Sequence, residues 1–166
     1  MKGYTMQRIA RFEKVSDAQM KADSAHMAGE PLPVELPVRA TAGSAGYDIK
    51  TPWAIRLEPG ESIHIPTGLR CRIAPGWVLL IMPKSGLGFK YRLQLDNTVG
   101  VIDEDYYGAD NEGHIQIQIT NDSREGKVLD IPAGKAFAQG LFVPYGITED
   151  DEAEAKRTGG FGSTNA

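Results

Sequence analysis

Apolar and polar residues alternate along most of this chain with the period of two that marks a half-buried strand. His114-Ile-Gln-Ile-Gln-Ile119 is the strictest instance. Ile55-Arg-Leu57 and Ile63-His-Ile65 repeat the pattern on either side of Glu58-Pro-Gly-Glu61, a turn with proline second and glycine third. The same device recurs at Ala74-Pro-Gly-Trp77, between the runs Leu69–Ile73 and Trp77–Met82. After the polar turn Asn121–Gly126, Val128–Ile131 and Phe137–Tyr145 supply further strands. Turn signals arrive about every ten residues and no strand–helix–strand rhythm intervenes, so an antiparallel sandwich, barrel or jelly roll is expected.

The two ends depart from this pattern. Gln7 to Val15 reads as a short strand, and Ser16 as the N-cap of the single helical run, DAQMKADSAHMA, about three turns long. Pro31, Pro33 and Pro37 then impose an extended connector. Beyond Tyr145, Thr148 to Glu154 is acidic and carries no large apolar residue, yet RTGGFGSTN follows, with three glycines around Phe161. The expected organisation is one β domain over residues 1–147, with an N-terminal extension over 1–37, and a C-terminal arm over 148–166.

Composition narrows the function classes. At 166 residues the chain is long enough for a real core, and 41% hydrophobic and 24% charged content are globular values. A net charge of −4 gives no footprint for nucleic acid, so an anionic small ligand would need local cations, backbone amides or a metal. The lone Cys71 excludes an intrachain disulfide and points to a reducing compartment. Its alternation with Leu69 and Ile73 reads as a buried, inert thiol. His26, His64 and His114 lack zinc-ligand spacing. With no secretory apolar block and no run of ~20 apolar residues, the expectation is a soluble, intracellular, cytoplasmic protein without a membrane partner.

One stretch concentrates chemistry. In Asn97–Gly108, NTVGVIDEDYYG, an apolar run delivers Asp103 to the end of a strand, with Tyr106 and Tyr107 close behind. A carboxylate emerging beside aromatic surface can orient a water next to a flat ligand. A β-hairpin with a solvated acidic turn is the alternative. Three glycine-rich patches accompany it: Gly43–Asp48, Pro83–Gly88 and Arg157–Asn165. In the second, glycine-freed backbone N–H groups join Lys84 and Ser85 as anion donors.

In this order and spacing the patches resemble the five motifs of the trimeric dUTP pyrophosphatases, or dUTPases. AGYD (Ala45–Asp48) looks like the first motif, KSGLG (Lys84–Gly88) the second and NTVGVIDEDYYG the third. GKAFAQ (Gly134–Gln139) looks like a degraded fourth, and RTGGFGST (Arg157–Thr164) the fifth. The resemblance spans about Val38 to the C-terminus. It implies an all-β, distorted jelly roll with one short N-terminal helix, assembled as a homotrimer whose active sites are shared between chains and closed by the arm. The implied reaction is attack of water on the α-phosphorus of dUTP, releasing dUMP and pyrophosphate, with Mg2+ on the triphosphate.

The implied roles follow residue by residue. Asp103 would activate the water, and Tyr106 would lie against the deoxyribose and leave no room for a 2′-hydroxyl. Asn97, with hairpin backbone up to Gly100, would read the edge of uracil. Lys84, Ser85 and Gly86 would hold phosphate oxygens, Ser85 facing the leaving pyrophosphate, and Gln139 would donate near the α-phosphate. Phe161 would stack over uracil while Arg157, Gly162 and Ser163 grip the phosphates. Asp48 would reach the metal through a water. The chain departs from the family at Lys84, where arginine is usual, and at Lys135 and Ala136, where an acid and an arginine are usual. In the fifth motif either Lys156 or Arg157 takes the arginine place, and Asn165 replaces a glycine. Two alternatives remain open: a dCTP deaminase of the same architecture, and a regulatory dUTP-binding member acting on a protein partner.

Overall fold

Strand β9 (Ile115–Asn121) shows how the alternation becomes structure: Ile115, Ile117, Ile119 and Asn121 point inward and are buried. Asn121 is tolerated there because its amide donates to the carbonyls of Leu57 and Lys127, both at 2.9 Å, and accepts from the Ser123 N–H. The computed structural model describes residues 6–155, 157, 159 and 160. Before β9 the chain forms β1 (Ala10–Lys14), α1 (Asp17–Asp23), β2 (Val38–Arg39), β3 (Tyr47–Lys50), β4 (Ile55–Leu57), β5 (Ser62–Ile73) and β6 (Trp77–Pro83). There follow α2 (Ser85–Tyr91), β7 (Leu93–Leu95), β8 (Gly100–Ile102) and a 3-10 helix, Glu104–Gly108. After β9 come β10 (Leu129–Ile131) and β11 (Ala136–Pro144).

All strand pairs are antiparallel. The strands form a four-stranded sheet β1-β5-β9-β7, a five-stranded sheet β2-β3-β11-β6-β8 and the short pair β10-β4. One apolar cluster joins Ile65, Leu69 and Ile117 from the first sheet to Ile49, Leu79, Ile81 and Phe137 from the second. Cys71 lies in the same cluster, 1% exposed, and burial pushes its thiol up to about 12. The architecture is the expected all-β jelly roll.

The structure meets one local expectation and corrects two. The Glu58–Glu61 turn forms as read, with Gly60 at φ +88° and the Glu61 N–H bonded to the Glu58 carbonyl. Its flanking strands do not pair with each other, however: β4 joins β10, and β5 joins β1 and β9. Secondly, Ser16 caps α1 as expected, accepting from the Gln19 N–H at 3.1 Å, but the helix ends at Asp23 rather than Ala28. Its last residues turn toward the sheet, where Asp23 bonds His114 and His26 bonds the His64 carbonyl. Thirdly, a second helix, α2, occupies Ser85–Tyr91, where a glycine-rich loop was expected. Leu87 and Tyr91, one turn apart, both pack on the core, and that packing outweighs the low helix propensity of Gly86 and Gly88.

Candidate functional site

The sheet brings the first, second and fourth glycine-rich motifs together. Pairing places Gln139 of β11 opposite both Asp48 of β3 and Met82 of β6. Lys84, just beyond β6, donates to Asp48 Oδ1 at 2.7 Å with both side chains half-buried, so the ammonium is held at the sheet end. A β-carbon on Gly46 would stand 2.7 Å from Gln139 Oε1, so the glycine of AGYD makes room for that amide. Ser85 and Gly86 open α2, where the first N–H groups of a helix have no intrahelical acceptor. Here are a cation, a hydroxyl, an amide and backbone donors, the donor set of a phosphate site.

The third and fifth motifs meet elsewhere. β8 pairs with β6 so that Ile102 lies opposite Leu79 and Gly100 opposite Ile81. Asp103 therefore leaves the sheet at the Trp77 end of β6, whereas Lys84 leaves at the Pro83 end, about 20 Å away at the ~3.3 Å rise of a strand. Asp103 stands at the N-cap of the 3-10 helix yet makes no capping bond. Aspartate in that position usually satisfies a local N–H, so this carboxylate is left for another partner. That partner is Arg157, 54 residues on, whose Nη2 donates to Asp103 Oδ2 at 2.8 Å. Arg157 Nε lies 3.3 Å from Asp105 Oδ1, near enough for ionic attraction though not aligned for a hydrogen bond. The guanidinium carbon stands 5.5 Å from the centroid of the Tyr106 ring.

The two tyrosines part company. Tyr106 is 3% exposed and burial raises its hydroxyl pKa; its hydroxyl donates to the His114 carbonyl at 2.7 Å and accepts from Asn111 Nδ2 at 2.8 Å. Tyr107 points toward the first sheet, its hydroxyl on Glu13 and its ring under the Arg70 guanidinium at 3.7 Å. Gly113 lets the loop behind Tyr106 fold tightly. It has φ +68°, and a β-carbon there would come within 2.6 Å of the Tyr106 carbonyl oxygen.

A groove of about 520 Å³ opens beside the β7–β8 hairpin. Asn97 and Gly100 line it together with Leu95, Ile102, Gln116 and His64, so the residues expected to read a base share one recess. Phe161, Gly162 and Ser163 lie outside the described residues, as does Lys156. Arg157 does stand on the Asp103 carboxylate. The sequence assigns no site role to Asp23, Asn111 or His114. His114 was one of three scattered histidines, and its Asp23 partner is 91 residues distant. Gly113, the one glycine in the Asn111–His114 loop, was the available signal.

The family model for dUTPase matches residues 33–165. The chain is 43% identical over 136 residues to the deoxyuridine 5'-triphosphate nucleotidohydrolase of Lactococcus lactis, across 80% of this chain and 89% of that protein. It is 41% identical over 137 residues to the protein of that name from Methylobacillus flagellatus, across 78% and 87%. Its fold is similar to the crystal structure of dUTPase from Streptococcus mutans, with a TM-score of 0.64 at 32% identity over 83% of this chain and 98% of that one. The dUTPase from phage phi11 of S. aureus shares the fold at a TM-score of 0.64 and 23% identity, over 89% and 97%.

Proposed function

This chain belongs to the dUTPase family, and from that premise we propose that it hydrolyses dUTP to dUMP and pyrophosphate. The observation that carries the reading is the uncapped Asp103 carboxylate, met by Arg157 from the arm and flanked by the Tyr106 ring. A carboxylate kept from its local N–H groups can hold a water and take up its proton as the oxygen attacks phosphorus. Arg157, a fixed planar cation, would turn from the carboxylates to the phosphate oxygens on substrate binding. Lys84, Ser85 and Gln139 would hold the phosphates and take up charge as pyrophosphate departs. Asn97 and the hairpin backbone to Gly100 would read uracil in the groove, while Tyr106 excludes a 2′-hydroxyl by shape. Phe161, Gly162 and Ser163 would complete the enclosure.

The donors suit Mg2+ carried by the substrate. Mg2+ is commonly held by one or two carboxylates plus phosphates, and the Asp48 carboxylate stands beside the Lys84 ammonium. Asp48 would reach it through a water, and the metal, when bound, supplies charge neutralisation at the phosphoryl oxygens.

The separation of the two half-sites supports a shared assembly. An α-phosphorus beside Asp103 cannot also touch Lys84 of the same chain about 20 Å away, at ~3.3 Å per strand residue. A neighbouring copy supplies the missing half, and a closed ring of three gives every copy one such neighbour. Residues 1–147 form the β domain of each copy, and 148–166 its arm. No helix among the described residues is long and apolar enough to cross a membrane, and a cytoplasmic location suits the lone thiol.

The test is pyrophosphate release from dUTP, dTTP, dCTP and UTP with Mg2+, for wild type and Asp103→Asn. Selective dUTP turnover that falls by about 10²–10⁴-fold in the variant is expected. Binding without turnover in both proteins would refute the reaction. Ammonia release from dCTP would assign a deaminase instead.

A further inference from the structure

The far end of the Tyr106 ring is held by a buried polar chain that begins in the N-terminal extension, outside the family match at residues 33–165. Asp23, the last residue of α1, bonds His114 Nδ1 at 2.5 Å. His114 Nε2 accepts the Gly68 N–H at 2.8 Å. A ring nitrogen that accepts cannot carry a proton, so the imidazole is neutral, with its proton on Nδ1 facing Asp23. Burial favours the same state, lowering the His114 pKa; its side chain is fully enclosed. With both nitrogens committed, the His114 backbone is pinned, and its carbonyl is the acceptor for the Tyr106 hydroxyl.

Asn111 closes the other side. Its Nδ2 donates to the Tyr106 hydroxyl, while its Oδ1 accepts the Gly113 N–H at 3.2 Å, which orients the amide. A β-carbon at Gly160 would stand 3.3 Å from Asn111 Nδ2, so the arm passes directly over this amide. The Tyr106 hydroxyl thus has a donor and an acceptor at fixed positions, and the ring can neither slide along its axis nor tip without breaking a buried hydrogen bond. Exclusion of one hydroxyl by shape requires that rigidity, because a displacement of an ångström would admit the oxygen.

We propose that Asn111, together with the Asp23–His114 pair, positions Tyr106 and so sets the discrimination between 2′-deoxy and 2′-hydroxy nucleotides. The proposal rests on the functional reading above, in which Tyr106 faces the sugar. The experiment measures kcat/KM for dUTP and for UTP in wild type, Tyr106→Phe, Asn111→Leu and the double variant. Each single variant is expected to cut the dUTP-to-UTP ratio about tenfold, the equilibrium equivalent of one buried hydrogen bond. The double variant is expected to lose no more than either single one, since both remove the same restraint. Asp23→Ala is expected to relax the ratio. Asp23→Asn, which still offers an acceptor to His114, is expected to restore it. Ser16→Ala removes the hydroxyl that donates to Glu112 and caps α1, while the Ser16 backbone N–H keeps its bond to the other Glu112 carboxylate oxygen. It is expected to lower thermal stability while leaving the ratio alone. Additive losses in the double variant, or a ratio unmoved in both single ones, overturn the positioning role while the reaction stands. A wild type that does not turn over dUTP overturns the functional reading and the proposal together.

Discussion

The two half-sites are built on opposite plans. At the phosphate end, Asp48, Lys84 and Gln139 sit on or just beyond three adjacent strands of one sheet, and their geometry comes from backbone register. At the Asp103 end, the carboxylate follows the edge strand β8, its arginine comes from the arm, and the neighbouring ring is held by the Asn111 amide and the His114 backbone carbonyl. On the proposed reading this end would hold a triphosphate, and paired strands provide a rigid rack of donors. On the same reading the Asp103 end would admit a nucleotide and close over it, and its arginine does arrive on a segment outside the sheet. The difference teaches how each half fails: a register-built site loses the contact of the substituted residue, whereas a site hung on side-chain networks also loses its alignment.

Co-assembly of two crippled chains tests that division most severely. Asp103→Asn and Lys84→Ala chains are each expected to lose most of their activity. Mixed after reversible denaturation, they should regain a substantial fraction, because some sites then pair an intact half from each chain. Pyrophosphate release that stays at the level of the separate variants would place both halves in one chain.

Next in size is Arg157→Ala. Loss of a charged hydrogen-bonding partner to phosphate costs about 1.5–3 kcal/mol, so kcat/KM for dUTP should fall roughly 10–150-fold. Arg157→Lys should recover part of this, keeping charge without the planar fork. Steady-state kinetics decide it, and equal values for wild type and Arg157→Ala would detach the arm from the chemistry.

A smaller effect concerns the network behind Tyr106. Burial holds the His114 imidazole below its ordinary 6.5, and the same cause lowers His64. A lowered folded pKa means the unfolded chain binds the extra protons as pH falls, so stability is retained above about 6.5 and declines below it. Thermal midpoints by circular dichroism should drop from pH 7.5 to 5.5, and the drop should shrink in His114→Asn. An unchanged slope in that variant would move the titration elsewhere. Smallest of all, the Cys71 thiol, pushed up to about 12 and buried, should react with a thiol reagent only after unfolding.

Particular residues mark how far the sequence was legible. The Gln-Ile alternation of β9 and the proline–glycine turns at Glu58–Glu61 and Ala74–Trp77 announced themselves, because their signals are local: side-chain period and backbone sterics. Partner choice was invisible. Ile55–Leu57 and Ile63–Ile65 flank one turn, yet Ile55–Leu57 pairs with Leu129–Ile131 from far along the chain. Helix α2 was hidden by its glycines, since the contact that stabilises it is the packing of Leu87 and Tyr91 on strands outside the motif. In the candidate site, Asp103, Tyr106 and Lys84 were readable from motif spacing, whereas Asn111, His114 and Asp23 were not.

By itself, then, the sequence determined an all-β chain, its turns, its family and the chemical identity of its candidate groups. These follow from residue type and near-neighbour order. Tertiary structure alone decided that Asp103 and Lys84 stand at opposite ends of β6, that Arg157 returns to Asp103, and that Asp23 reaches the histidine behind Tyr106. Each is a meeting of residues distant in sequence, and burial and hydrogen-bond satisfaction in the folded chain select such meetings where no local propensity can.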